Sequence, residues 1–291
     1  MNARSAGRDG NRLPFTLSLC NEVVREMSFA AQCDMAAALG YEAIEIAPFT
    51  LTEDPRSLSD KRLGELRRAA EATGIRVSSL HWLLMAPAGL SITAADAKVR
   101  ATTFEVMEAL VNVCAALGGQ VLVHGSPGQR VLTEADPLGD AQRGVEAFAA
   151  AAQFAEQAGV VYCIEPLSPH ETAFVNTVAQ AERIVVEVGN AHLRTMLDTR
   201  AATLTESEPP AVVLARGLAA GTIAHVHFND SSKLGPGQGD DEFLPVVETL
   251  LRSGYTGTVA IEPFEYVPDG RTAAAFAAGY VSGLVEALRA G

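Results

Sequence analysis

Residues 223–262, IAHVHFNDSSKLGPGQGDDEFLPVVETLLRSGYTGTVAIE, hold one complete structural repeat. The apolar run 223–228 reads as a strand, and a glycine-containing loop follows it. Residues 241–253 carry the apolar spacing of a helix, Gly254 stops it, and 257–262 opens the next strand. The same unit recurs upstream. Strands are expected at 15–20, 42–47, 76–81, 120–124, 160–165 and 194–198, and helices at 28–39, 59–73, 96–117, 141–158, 178–188, 209–220 and 271–289. Gly40, Gly74, Gly118, Gly159, Gly189, Gly221 and Gly254 each fall just past a helix pattern, where a C-terminal cap calls for positive φ.

Eight strand-then-helix units joined by short connections predict a parallel sheet, and eight is the number that closes it. The expected fold class is therefore α/β, a single (β/α)8 TIM barrel over residues 14–291, preceded by a disordered polar tail at 1–13. A doubly wound open sheet is the alternative. No GxGxxG follows the first strand to support it, and the polar residues gather at strand ends throughout.

Composition agrees with one large core. The 291 residues are 48% hydrophobic and 20% charged, the range of an ordinary globular chain. Lys and Arg number 22 against 35 Asp and Glu, a net charge of −13 that repels a phosphate backbone, so nucleic acid is not expected as a partner. The apolar runs break before the roughly 20 residues a membrane span needs. The N-terminus lacks the apolar stretch of a signal peptide, and Cys20, Cys33, Cys114 and Cys163 form no CxxC pair. A cytoplasmic protein with buried free thiols is expected, acting on a small molecule with no membrane partner. Whether it works alone or as a homo-oligomer is left open.

The strand ends carry the functional signal. The fifth closes in CIEPL, the sixth in MLDT, the seventh in HVHFND and the eighth in AIEPF, which puts Glu165, Asp198, His227 and Glu262 at equivalent places on four successive strands. Barrel active sites sit at these C-terminal ends, and strand interiors normally offer Val, Ile or Leu. Each carboxylate could instead cap the following helix or pair with an arginine, but four aligned ends favour one divalent cation held by three carboxylates and an imidazole. Mn2+ is the first choice, with Co2+, Mg2+ and Zn2+ also compatible with mixed O/N ligation. His225 lies two residues before His227, faces the same side, and is expected a layer lower in the core.

The runs IEPLSPHETAFVNT, LDT, HVHFNDSSKLGPGQGDDEF and IEPF resemble the sugar isomerase/epimerase group of xylose-isomerase-like barrels, nearest to its ketose 3-epimerase branch. The resemblance spans most of the chain and is tightest from 160 to 266. It implies that Glu165, Asp198, His227 and Glu262 ligate the metal, that Glu165 and Glu262 are the catalytic acid/base pair, and that Glu171 and Lys233 contact substrate. One departure stands out. The branch carries a substrate-binding His three residues after the Asp ligand, where this chain has Ala201, so the sugar is expected to be held differently.

Further substrate-binding candidates sit at predicted strand ends. His81 closes the third strand beside Trp82, an aromatic able to pack on a sugar ring, and His124 closes the fourth, with Arg130 just beyond. Glu45 lies in the second strand. Each histidine could equally be a hydrogen-bonded structural residue, and Arg130 and Lys233 could be solvated loop charges. The segment GPGQGDDEF is expected to bend tightly near the ligand, with Asp240 or Asp241 capping the next helix.

The chemistry expected is epimerisation or isomerisation of a keto-sugar or sugar derivative through a metal-stabilised cis-enediolate, with a glutamate on each face moving the proton. The main rival is a metal-dependent lyase or dehydratase that expels a β-leaving group from a keto-sugar or keto-inositol derivative. A DNA-repair-type phosphodiesterase fits the acidic charge badly, and a barrel that only binds sugar has no use for four intact ligands. The exact substrate, with or without phosphate or carboxylate, is left open.

Overall fold

The computed structural model describes residues 13–290; the expected tail at 1–13 lies outside the described residues except for Leu13, which packs against the core. Eight parallel strands close into a barrel in sequence order: β1 (Thr16–Cys20), β2 (Ala43–Ile46), β3 (Arg76–Leu80), β4 (Val121–His124), β5 (Val161–Ile164), β6 (Leu193–Asp198), β7 (Ile223–Phe228) and β8 (Thr258–Ile261). β1 pairs with both β2 and β8, which shuts the ring. The helices between them are α1 (Phe29–Leu39), α2 (Asp60–Thr73), α3 (Ala97–Leu117), α4 (Pro137–Ala158), α5 (Val178–Val188), α6 (Thr199–Thr205), α7 (Pro210–Ala220), α8 (Leu244–Arg252) and α9 (Gly270–Ala290). No helix among the described residues is long and apolar enough to cross a membrane.

The local reasons are those of ordinary helix ends. Ser28, Ser59, Asp96 and Asp136 accept from backbone N–H groups of the first turns of α1 to α4, and Thr177 forms a capping box with Gln180 at α5. Six of the expected glycine stops are left-handed C-caps; Gly254 falls one residue beyond the cap Ser253. α4 starts at Pro137, earlier than 141, because Asp136 caps it with proline in the first turn. The short α6 has no counterpart among the expected helices. Neither Asp240 nor Asp241 caps α8: its N-cap is Phe243, and Asp241 instead accepts from the Ser231 N–H at 2.6 Å and the Ser231 hydroxyl at 2.9 Å, folding the loop back on itself.

Apolar side chains fill the space between sheet and helices. Inside the barrel, Val121, Val123, Cys163 and Met196 form a small separate cluster. The strand pleat then directs the next residues. Two steps beyond Cys163 and Met196, Glu165 and Asp198 face the barrel axis, whereas His124, one step beyond Val123, faces out toward the helices. Register shifts fall between Ile44 and Glu45 and between Thr195 and Met196, just below two polar positions, where such irregularities re-aim side chains.

Candidate active site

Glu165, Asp198, His227 and Glu262 converge at the C-terminal mouth. One ligand-type atom from each lies within 4.8 Å of the others, and all four residues are buried. β6 and β7 deliver Asp198 and His227 from within the strands; Glu165 and Glu262 follow β5 and β8 directly. Gly125 makes room for this, since a Cβ there would collide with Glu165 Oε2.

The donor set fits a divalent cation. His227 Nδ1 and Glu262 Oε2 are buried and lack a hydrogen-bond partner, although they face each other at 2.8 Å. Unpartnered polar atoms turned on one point are what a cation would satisfy. Burial, with Glu165 and Glu262 adding repulsion, pushes the Asp198 carboxyl up to about 8. Burial also raises Glu165, against the pull of His227. Glu262 goes the other way: burial is outweighed by His227 and His81, which bring it down to about 2. A cation at this point removes the repulsion that lifts Asp198. Asp198 also caps α6, accepting from the Ala201 N–H at 2.6 Å, while its second oxygen accepts from Asn229 Nδ2 at 2.8 Å. It therefore combines the capping role with a place in the cluster.

Around these four lie further carboxylates and imidazoles, of which Glu45 and His81 are already hydrogen-bonded and His225 is not. Glu45 is fully buried; it accepts from His227 Nε2 at 2.8 Å and from the Ser79 hydroxyl at 2.5 Å, and lies 2.7 Å from His225 Nε2. Burial drives the Glu45 carboxyl up, but His225 and His227 together hold it well below the usual range. His225 is a layer lower, as expected, and burial keeps its imidazole below the ordinary value. His81 donates from Nδ1 to Glu262 at 2.9 Å and from Nε2 to Glu22 at 3.0 Å. Burial opposes its charge, yet Glu22 and Glu262 carry it well above the normal histidine value, so the two carboxylates favour its protonated form. Cys20, Glu45, His81 and His227 also lie close enough to suggest a cation, as do Glu22, His81 and Glu262. The hydrogen bonds within these groups make them supports that fix which nitrogen and which oxygen the upper four present.

A family model described as xylose isomerase-like TIM barrel matches residues 33–280. The chain belongs to the xylose isomerase-like TIM barrel family. Among curated relatives, the D-psicose 3-epimerase of Ruminiclostridium cellulolyticum is 28% identical over 241 residues, covering 82% of this chain and 79% of the relative. The D-psicose 3-epimerase of Agrobacterium fabrum is 29% identical over 243 residues, with 81% and 79% covered. A solved structure of an L-ribulose 3-epimerase superposes with a TM-score of 0.81 at 22% identity, over 94% of this chain and 96% of that one. That last likeness speaks for the fold alone.

Within this family barrel the remaining expected residues divide. Trp82 and Glu171 line a cleft above the cluster with Gly125, Ser126, Leu167 and Phe264, and the cleft floor includes Glu165 and Glu262. Trp82 holds a left-handed backbone at φ 51° and meets Phe264 edge-on, with ring centroids 6.3 Å apart. Glu171 is fixed by the Ser168 hydroxyl at 2.8 Å. Lys233 is half exposed at the rim, 3.4 Å from Glu265.

Four expected substrate contacts sit elsewhere. Glu45 and His81 are turned onto His227 and Glu262 and held there by the bonds just described. His124 faces outward, bonded to the Tyr162 hydroxyl at 2.7 Å and packed edge-on to Phe148 of α4; burial, aided by Arg130, lowers its imidazole to about 3. Arg130 is fully buried behind the cleft wall, and its three guanidinium nitrogens have no hydrogen-bond partner.

Two residues near the site carry no expectation from sequence. Asn229 orients Asp198, and Arg200, in the first turn of α6, lies over the Phe264 ring at 5.6 Å and 3.3 Å from Glu171. The only available signal for Arg200 was its place two residues after a strand-end Asp.

Proposed function

We propose that this chain is a divalent-metal-dependent epimerase or isomerase of a keto-sugar or sugar derivative. The observation that carries the reading is the pair His227 Nδ1 and Glu262 Oε2, buried, without hydrogen-bond partners and turned on the point that Glu165 and Asp198 also face. The relatives named as epimerases support the reaction type. Glu165, Asp198, His227 and Glu262 would hold the ion, with Mn2+ the first candidate. A divalent ion there supplies Lewis-acid polarisation of the substrate carbonyl and its neighbouring hydroxyl.

The chain's own residues do the rest. Glu165 and Glu262 reach the cleft floor from β5 and β8 and so address opposite faces of a bound sugar. One takes the proton beside the carbonyl and the other returns one to the far face, which inverts that carbon; return to the adjacent carbon gives isomerisation. His81, clamped between Glu22 and Glu262, holds Glu262 in its working rotamer. Trp82 and Phe264 wall the cleft and exclude water, and Glu171 offers an oxygen to substrate hydroxyls. The four buried free thiols suit a reducing cytoplasm.

The test is a panel of keto-sugars incubated in D2O with Mn2+. Deuterium at a carbon beside the carbonyl, with an epimer or isomer as product, is expected. Loss of water or another leaving group in place of a rearranged sugar would make the protein a lyase and overturn the reading.

A further inference from the structure

Arg200 is pinned at its main chain and reaches out with its side chain. Asp198 closes β6 and caps α6, so Arg200 falls in the first turn of that helix, where its N–H donates to Asn229 Oδ1 at 3.1 Å. The first turn of a helix favours anions over cations, so the guanidinium gains nothing from its own helix. It crosses instead to two other strand ends, with its side chain only 13% exposed. Nη1 donates to Glu171 Oε1 at 3.3 Å, in the loop after β5. The guanidinium carbon lies 5.6 Å from the centre of the Phe264 ring, which follows β8.

Glu171 and Phe264 both line the cleft, and Arg200 does not. Each is partly fixed by other bonds. Ser168 donates its N–H and its hydroxyl to Glu171 Oε2 at 3.2 and 2.8 Å, and the Phe264 N–H donates to the Lys233 carbonyl at 2.9 Å. Those bonds leave free the second carboxylate oxygen and the rotation of the ring. Arg200 takes the first directly. The ring is met by Trp82 within the cleft, edge-on at 6.3 Å, and by Arg200 from outside it. One guanidinium thus bears on both residues, while Asp198, His227 and Glu262 are held by other bonds.

Resting on the keto-sugar reading above, in which Glu171 accepts from substrate hydroxyls, we infer that Arg200 is a positioning residue for the sugar site: from outside the cleft it ties Glu171 to Phe264 and sets both before substrate arrives. A wall already in place spares the sugar the cost of ordering it, so Arg200 acts on affinity. Proton transfer between the two glutamates and a sugar already bound does not depend on it.

The experiment uses the full chain loaded with Mn2+ and has two arms. Without sugar, acrylamide quenching of Trp82, the only tryptophan, reports how firmly Phe264 packs on it. R200Q is expected to raise the quenching constant, and to change it no further in an F264L background. With sugar, initial rates of deuterium exchange on whichever keto-sugar of the panel exchanges fastest give KM and kcat. R200Q should raise KM about three- to tenfold, the scale of ordering one or two loose side chains on binding, with kcat kept. R200K keeps a cation for Glu171 and should recover part of that loss. In an E171Q background R200Q should cost little more, because the two residues act through one contact. Unchanged quenching in R200Q, a fall in kcat with KM unchanged, no recovery in R200K, or a KM penalty equal with and without Glu171 would each overturn the inference. Exchange by the wild type with KM indifferent to R200Q removes this inference and leaves the epimerase reading standing. No exchange on any sugar of the panel overturns the reaction reading, and the quenching arm, which needs no sugar, still decides whether Arg200 holds the wall.

Discussion

The two halves of the barrel contribute different things to the mouth. β5 to β8 bring Glu165, Asp198, His227 and Glu262, whose ligand-type atoms gather within 4.8 Å and include two, His227 Nδ1 and Glu262 Oε2, that have no hydrogen-bond partner. β1 to β3, with the turn after β1, bring Glu22, Glu45 and His81, equally buried and equally ionisable, but with their polar atoms engaged. Residue type and burial are the same in both groups. What separates them is bonding: Glu45 and His81 are spent on His227 and Glu262, with Glu22 behind His81, whereas His227 Nδ1 and Glu262 Oε2 keep no hydrogen-bond partner. Function resides in the atoms left without partners, and rigidity in those that have them.

If that division is right, substitutions in the two halves differ in size and kind. The largest effect belongs to Glu165→Gln and Glu262→Gln. Each keeps the shape and an oxygen able to ligate but cannot move a proton, so proton exchange and turnover should fall by about 10²–10⁴ with metal content retained. Exchange in D2O alongside metal analysis checks both. A variant that keeps full turnover would place its glutamate with the supports and break the two-face arrangement.

Glu45→Gln comes next. Its carboxylate accepts from His227 Nε2 at 2.8 Å and so keeps Nδ1 as the bare nitrogen. An amide can present its NH2 to His227 and favour the wrong tautomer. Metal affinity should drop by about 10–100-fold, as for other partners of ligating histidines. Calorimetric titration of the metal-free protein with Mn2+ measures it. Unchanged affinity would mean that Glu45 supports the fold and not the ligand. His81→Gln should be milder, lowering turnover about tenfold through a mobile Glu262, with sugar affinity kept. A change in KM alone would instead put His81 in the cleft.

The same division explains what could be read from the chain. All eight strands were legible to within about a residue, because each is a short apolar run, and those from β2 onward follow a glycine stop. The four upper residues were legible as charges at matching strand ends. Bonding was not. His81 and Glu45 resemble mouth residues until their partners are known, and His124 differs from Glu165 only by pleat parity, which requires knowing that Val121 and Val123 face the axis. Arg200 and Asn229 escaped for another reason. Each is a single polar residue just past a strand, where polar residues are common, and only the approach of Phe264 and Asp198 gives them a role.

The smallest effect is also the one that tests the electrostatics of the upper half directly. Asp198 sits between Glu165 and Glu262, and burial with their repulsion lifts its carboxyl from an ordinary 3.8 to about 8 in the absence of metal. The folded chain therefore binds a proton there that the unfolded chain has already released across the window from about pH 4 to 8. Stability falls with rising pH wherever the folded state holds the extra proton, so this residue's contribution is full below the unfolded value and is lost as pH rises through the folded one. Asp198→Asn removes the proton site and keeps the shape, although its amide cannot serve both the Ala201 N–H and Asn229 as well as a carboxylate does. In the metal-free state the variant should be the less stable protein near pH 5 and should gain on the wild type by a few degrees of Tm by pH 8. Saturating Mn2+ should reverse the order at pH 8, because the cation stabilises the ionised Asp198 and the variant has one charge fewer to hold it. Melting curves at several pH values, with and without metal, decide the matter. A pH-independent difference between the two proteins would mean that Asp198 is ionised in the folded chain without a cation, and the repulsion assigned to the upper half would have to be sought elsewhere.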